Sequence, residues 1–244
     1  MAEKEAATVT SVSRAIDILN ALGAEDMKSI RELSHDLNIT KSTIHRLLQT
    51  LEVKGMVKKD PTTEKYGLGY NVLELGKNLV ESNVIRNVAY SYMEKLSDET
   101  GDTVQLALVE NDEILIIDTI EGMNEIRVFA QAGQKYPITY GSFGKVFMSS
   151  KNDEELRAVL KESEGNEKIV KEITEIRKTR VAVGVDTPIR GAVSLATPIV
   201  DSDDKIIAAI SVAGVKTEEK MNDLTQLEDI IRKYGVKISK ALNQ

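Results

Sequence analysis

The chain has 244 residues, a net charge of −7 and neither cysteine nor tryptophan. Such a length suggests one large or two small domains, and the missing cysteines exclude disulfides, thiolate metal sites and cysteine nucleophiles together. No apolar run approaches the ~20 residues that span a bilayer, and the start MAEKEAATVTSVSR lacks the apolar core of a signal peptide, so the expectation is a cytoplasmic protein with no membrane partner.

The distribution of charge says more than its sum. Residues 1–70 hold ten basic and ten acidic side chains, whereas the other 174 hold 22 and 29. Within residues 40–70 six basic side chains face three acidic ones, a local basic patch in an acidic chain.

The stretch SVSRAIDILNALG places Val12, Ile16, Leu19 and Leu22 on one side of a first helix, with Ser11 as N-cap and Gly23 at its end. SIRELSHDLNI opens on Ser29-x-x-Glu32, a capping box in which each side chain satisfies the other residue's backbone N–H. Ile30, Leu33 and Leu37 form its apolar edge, and Asn38, which tolerates a left-handed conformation, marks a tight turn. A third helix starts at Thr40 as N-cap and runs to about Gly55. Its apolar face is Ile44, Leu47, Leu48 and Leu51; the other carries Lys41, Ser42, Thr43, His45, Arg46, Gln49 and Thr50, with no carboxylate before Glu52.

Met56–Lys59 and Lys65–Leu68 then read as two short strands joined by a turn containing Pro and Thr. Helix, turn, helix and basic hairpin make a winged helix-turn-helix. In that arrangement Thr40, Lys41, Ser42, Thr43, His45 and Arg46 would meet the major groove or its phosphates, and Lys58, Lys59 and Lys65 the backbone beside it. Carboxylates on that face would repel phosphate, whereas hydroxyls and cations donate to it. Taken alone, the third helix reads equally as a solvated surface helix; the ordered set argues against that. Arg46 could instead pair with Glu52 or Asp36.

The segments SVSRAIDILNAL, IRELSHDLNITKSTIHRLLQTL and KYGLGYNVLELG resemble the IclR family of bacterial and archaeal transcriptional regulators, and the likeness runs over about residues 9–243. It implies an α+β chain: a winged helix over residues 9–70, a linker helix over 71–83 and a GAF-like α/β effector-binding domain over 84–244. It also implies a homodimer or homotetramer on double-stranded operator DNA, acting as a repressor under a small organic-acid-like effector.

After Gly69, Val72, Leu75, Leu79, Ile85, Val88, Tyr92 and Leu96 space out an amphipathic linker helix to about Ser82 and a further helix ending at Gly101. From Asp102 the pattern turns to β. TVQLALV, EILIIDTI, EIRVFA, AVSLATPIV and KIIAAISVAG are strand candidates, with helices at about 143–150, 153–160, 167–179 and 218–242. This predicts an α+β sheet with one face covered, and since the strands show only a little alternation, much of the sheet is expected to be buried on both sides.

Both histidines, His35 and His45, lie in the first part, so the second offers no His base or ligand and no cofactor or metal is called for. GSFGKVF has Val146 where a phosphate loop needs Ser or Thr after the lysine. The segment fits either a tight turn into a packed helix or a binding wall whose free N–H groups attract an anion. The family resemblance favours the wall: Gly141, Ser142 and Phe143 would line a pocket for a small carboxylate, with Asp186, Ser194 and Ser211 as further contacts. Gly184 stands where the family carries an acid, and Ala213 replaces a commonly polar position, which implies an effector different from, or more apolar than, small keto acids. The rival reading is a ligand-independent DNA-binding dimer whose second domain only oligomerises.

Overall fold

The computed structural model describes residues 8–124, 128, 131–160 and 166–244. Contacts divide the chain into two compact units, one ending at Glu81 and the other spanning Ser82–Gln244.

The first unit contains α1 (Thr10–Ala24), α2 (Ile30–Asp36), α3 (Lys41–Val53), β1 (Val57–Lys59), β2 (Tyr66–Leu68) and α4 (Tyr70–Ser82). Ile18, Leu22, Leu33, Ile44, Leu48, Val57 and Tyr66 form its buried core. The capping box of α2 is complete: Ser29 N–H donates to Glu32 Oε2 at 2.7 Å and Glu32 N–H to Ser29 Oγ at 3.2 Å. Asn38 takes the left-handed conformation, φ 52°, that turns the chain into α3.

The first helix departs from its expected cap and face. It starts at Thr10 with Val9 in the cap position, so Ser11 lies inside the first turn. Its core face is Ile18 and Leu22, while Val12 and Ile16 are more than half exposed. With Leu19, Leu47 and Leu51, those two line an open groove between α1 and α3.

The wing is an antiparallel β1–β2 pair, Val57 opposite Leu68. A third element, absent from the sequence reading, joins it: Lys28 bridges to Tyr66 through N–H···O bonds of 2.9 and 2.8 Å. Gly69, which closes the Y-x-L-G motif, has a steric reason. A Cβ there would lie 2.1 Å from the Gly55 carbonyl oxygen, so only glycine lets the end of the wing close on the end of α3.

The second unit runs α5 (Val84–Thr100), β3 (Thr103–Glu110), β4 (Glu113–Ile120), β5 (Lys135–Pro137), α6 (Gly141–Met148), α7 (Asp153–Leu160), α8 (Asn166–Thr179), β6 (Ala182–Val185), β7 (Ala192–Val200), β8 (Ile206–Val215), α9 (Glu218–Asn222) and α10 (Leu224–Leu242). The described strands form one antiparallel sheet, β5-β4-β3-β8-β7-β6. The strand expected at EIRVFA, residues 125–130, lies outside the described residues except for Val128. Two short strands, β5 and β6, were not expected, and the last helix is broken at Asp223 into α9 and α10.

Both faces of the sheet are covered, as the scant alternation of its strands implied. Val104, Leu106, Val193, Leu195, Ile210 and Val212 pack on α5 and α10 through Met93, Leu96, Ile231, Tyr234 and Ile238. The alternate residues Ala107, Ala182, Ala196 and Ala209 pack beneath α6, α7 and α8 through Phe143, Val146, Leu156 and Ile173. One face is thus built mainly of branched aliphatics, while on the other β3, β6, β7 and β8 present alanines and β4 presents Ile114 and Ile116, and the alanines let α6 approach closely.

Candidate functional site

In the first unit, α3 holds its polar face outward. Thr40, Lys41, Ser42, His45 and Arg46 are exposed and Thr43 is half-buried, while Ile44 and Leu48 anchor the helix in the core. Thr40 occupies the cap position, but its hydroxyl meets Thr43 Oγ1 at 3.0 Å and Ser42 Oγ at 3.3 Å rather than a backbone N–H. The N–H groups of Lys41 and Ser42 therefore lack an acceptor among the described residues. Asp36 is engaged by Lys28 at 2.8 Å, and Arg46 forms no ion pair among the described residues.

The three wing lysines are not equivalent. Lys59 pairs with Glu64 across the turn, which pushes its pKa up. Lys65 lies 3.3 Å from Glu32. Lys58 is exposed and sits 5.2 Å from the Tyr70 ring centroid, a cation–π contact that leaves its charge open to solvent.

In the second unit a cavity of about 60 Å³ lies between α6 and the small-residue face of the sheet. Gly141, Ser142, Phe143, Ser194 and Ser211 line it. Asp186 does not. Its carboxylate closes the β6–β7 turn, accepting from Gly191 N–H at 2.8 Å and pairing with Lys216. Those two partners, Lys216 first, hold its carboxyl below the usual range. The sequence placed an acid near the pocket correctly along the chain, but the turn that carries it points the carboxylate at Lys216.

α6 begins abruptly. Tyr140 stands in the cap position with no side-chain cap, and Gly144 N–H, bonded to Tyr140 oxygen at 3.0 Å, is the first satisfied amide. The N–H groups of Gly141, Ser142 and Phe143 have no acceptor among the described residues, at the positive end of the helix. Gly144 permits this close entry, since a Cβ there would lie 2.1 Å from Ile138 oxygen. The lysine of the same motif is structural: Lys145 Nζ donates to Val183 oxygen at 2.9 Å and pairs with Glu172 at 2.7 Å.

Gly184 answers to close packing beside the cavity. A Cβ there would fall 2.9 Å from both Ser194 Oγ and the Thr187 carbonyl oxygen and 3.8 Å from Ser142 nitrogen, so glycine lets the β6 backbone lie this close to those polar atoms. Sequence reading missed the apolar walls, Ile114, Ile116 and the stacked rings of Tyr136 and Tyr140, 4.3 Å apart. It also missed Gln105. The signal was available: in TVQLALV, Gln105 shares the inward face with Ala107, where a long polar side chain needs a partner.

Comparison with known proteins places this geometry. Residues 11–61 match the IclR helix-turn-helix domain and residues 77–240 the bacterial transcriptional regulator IclR C-terminal domain. The HTH-type transcriptional regulator XynR of Escherichia coli K12 is 27% identical, over 96% of this chain and 97% of its own length. The HTH-type transcriptional repressor AllR of the same strain is 23% identical, over 95% and 90%. Among solved structures, an IclR transcriptional regulator from Alicyclobacillus acidocaldarius superposes with a TM-score of 0.84 at 22% identity, covering 97% of this chain and all of the other. An IclR homologue from Microbacterium hydrocarbonoxydans, solved with 4-hydroxybenzoate, gives a TM-score of 0.79 at 19% identity, over 95% and 98%. With its DNA-binding and C-terminal domains both matched, the chain belongs to the IclR family of DNA-binding transcriptional regulators, which are not enzymes.

Proposed function

We propose that this regulator is a cytoplasmic repressor that binds operator DNA as a homodimer or homotetramer and is controlled by a small organic acid held in the α6 cavity. The observation that carries the effector reading is the trio of unsatisfied N–H groups at Gly141–Phe143, facing a cavity with Ser194 and Ser211 on its floor. A carboxylate there gains charge-assisted hydrogen bonds and the favourable end of the helix dipole. The relative solved with 4-hydroxybenzoate supports the same class of ligand. The relative named a repressor supports the direction of regulation. Oligomerisation is supported by α4, an amphipathic helix with no buried residue, on which Leu75 and Leu79, four residues apart on one face, are 59% and 69% exposed.

On the DNA side, α3 supplies Thr40, Lys41, Ser42, Thr43, His45 and Arg46 to the major groove, and the wing brings Lys58 to phosphate most directly. Thermal shift against a panel of small carboxylates, followed by operator binding with and without each hit, tests the whole reading. A ligand that binds only the folded state at a hundredfold excess over its Kd stabilises by ~2.7 kcal/mol. A hit that raises the melting temperature and weakens operator binding is the expected result. Operator binding indifferent to every acid would favour a ligand-independent dimer instead.

A further inference from the structure

Tyr70 is the only exposed aromatic side chain among the described residues, 78% open to solvent at the first position of α4. Tyr66, four residues earlier, is 3% exposed and belongs to the core of the first unit. Packing therefore accounts for one tyrosine and not for the other. The Tyr70 hydroxyl has no hydrogen-bond partner among the described residues. What its ring does touch is a cation: Lys58 Nζ lies 5.2 Å from the centroid.

The wing is built so that Lys58 reaches that ring and no acid. Lys58 stands opposite Gly67 in the hairpin register. A Cβ at Gly67 would lie 2.7 Å from Met27 Sδ and 4.0 Å from Lys58 Cε, so the glycine leaves the space that those two side chains use. The acids nearby are engaged elsewhere. Glu64 pairs with Lys59 and Glu32 with Lys65. Asp60 Oδ1 accepts from the N–H groups of Thr62 and Thr63, each at 2.8 Å. Lys58 is thus held by an aromatic face where its two neighbours are held by carboxylates. For a phosphate the difference is decisive. A carboxylate must be displaced before the ammonium can turn to DNA, whereas a ring face leaves the N–H donors open. Holding a flexible lysine near its bound position also reduces the entropy lost when DNA arrives.

We infer that Tyr70 is a further DNA-contact residue: its ring positions Lys58 against the phosphate backbone, and its hydroxyl donates to a phosphate oxygen beside it. Tyrosine hydroxyls are among the side-chain groups that make such contacts, which fix register and carry no base sequence. The inference rests on Lys58 meeting phosphate and extends the DNA surface from the wing to the first residue of α4.

Because phosphate contacts are independent of sequence, the probe is a mixed-sequence duplex of about forty base pairs, room for two half-sites at helical-turn spacing. Affinity of the full chain is measured over a salt series for wild type, Lys58→Ala, Tyr70→Leu, Tyr70→Phe and the Lys58→Ala/Tyr70→Leu double variant. Lys58→Ala should lower the slope of log K against log salt by ~0.9. Tyr70→Leu should lower it by most of that amount although it removes no charge, and should lower it no further in the Lys58→Ala background. Tyr70→Phe keeps the ring, so it should keep the wild-type slope while binding about threefold or more weakly at every salt concentration. With so exposed a side chain, both Tyr70 variants should melt with wild type. A wild-type slope in Tyr70→Leu beside a lowered one in Lys58→Ala would overturn the inference and leave Lys58 on phosphate. A slope in Tyr70→Phe as low as in Tyr70→Leu would overturn the ring as the platform, and wild-type affinity in Tyr70→Phe would overturn the hydroxyl contact. Melting of Tyr70→Leu well below wild type would reduce Tyr70 to a packing residue. An unchanged slope in Lys58→Ala would sink the inference together with the reading of Lys58 beneath it.

Discussion

Lys58, Lys59 and Lys65 carry one charge each in different company, and their expected contributions to DNA binding differ accordingly. A lysine that neutralises a phosphate releases about 0.9 counterion, which sets the slope of log K against log salt. Lys58 has no carboxylate partner among the described residues, so Lys58→Ala should lower that slope by ~0.9. Lys59 must first leave Glu64; Glu64→Gln should therefore tighten operator binding, and unchanged affinity would show Lys59 to be remote from phosphate. Arg46→Ala should cost ~1–3 kcal/mol if the guanidinium reads a base, since no internal ion pair competes for it. The ion pairs also predict a titration. Ser29 backbone N–H, then the Ser29 hydroxyl, then Lys65 hold the Glu32 carboxyl down to about 2. A carboxyl depressed on folding contributes stability above its ordinary pKa and loses it as the pH falls. The α2 cap should therefore weaken only as the pH drops from about 4.5 toward 2, and a carbon-13 titration of Glu32 with its midpoint near 4.5 would contradict the capping box as drawn.

Elements were legible where period and punctuation agreed. Ser29-x-x-Glu32 and Asn38 name their own conformations, and α3 shows its two faces because one is aliphatic and the other lacks acid. α1 was misread because Val12, Ile16, Leu19 and Leu22 and the true pair Ile18 and Leu22 are both helical stripes; tertiary contact with α2 and α3 chose between them. Burial of the sheet on both sides showed as scant polar alternation; what alternates is size, valine or leucine against alanine or serine. The pocket was legible only in the α6 loop and two serines. Its remaining walls come from β3, β4 and β5, which no spacing in the sequence ties to α6. Asp186 went astray because a carboxylate in a turn serves whichever donor the turn brings near. Gly69 gives a test at this scale. Gly69→Ala would drive a Cβ into the Gly55 carbonyl, and overpacking of that kind costs ~1–3 kcal/mol. Urea denaturation should show at least that loss, together with weaker operator binding as the wing shifts; a variant as stable as wild type would mean the junction yields freely.

At the scale of the whole molecule, one winged helix presents too few contacts for the usual specific affinity, and two-fold dimers answer this by reading two half-sites at fixed spacing. The exposed Leu75 and Leu79 of α4 offer apolar surface on one helix face for such pairing, so sedimentation should find no monomer at micromolar concentration. Control by an effector then follows thermodynamic rules that hold whatever the path between the units. A ligand shifts operator affinity only by as much as it prefers one arrangement of the molecule over another. Such couplings are typically ~1–3 kcal/mol and reciprocal, so operator DNA must change effector affinity by the same factor that effector changes operator affinity. Ser194→Leu separates the two functions: it replaces a hydroxyl of the cavity lining with a bulkier apolar side chain, while leaving α3 and the wing untouched. The variant, once shown to be folded by its melting curve, should bind operator within about threefold of wild type, because even a response of 1.4 kcal/mol would be tenfold. It should then ignore the acid that releases wild type from DNA. A folded variant that still responds in full would move the effector out of the α6 cavity.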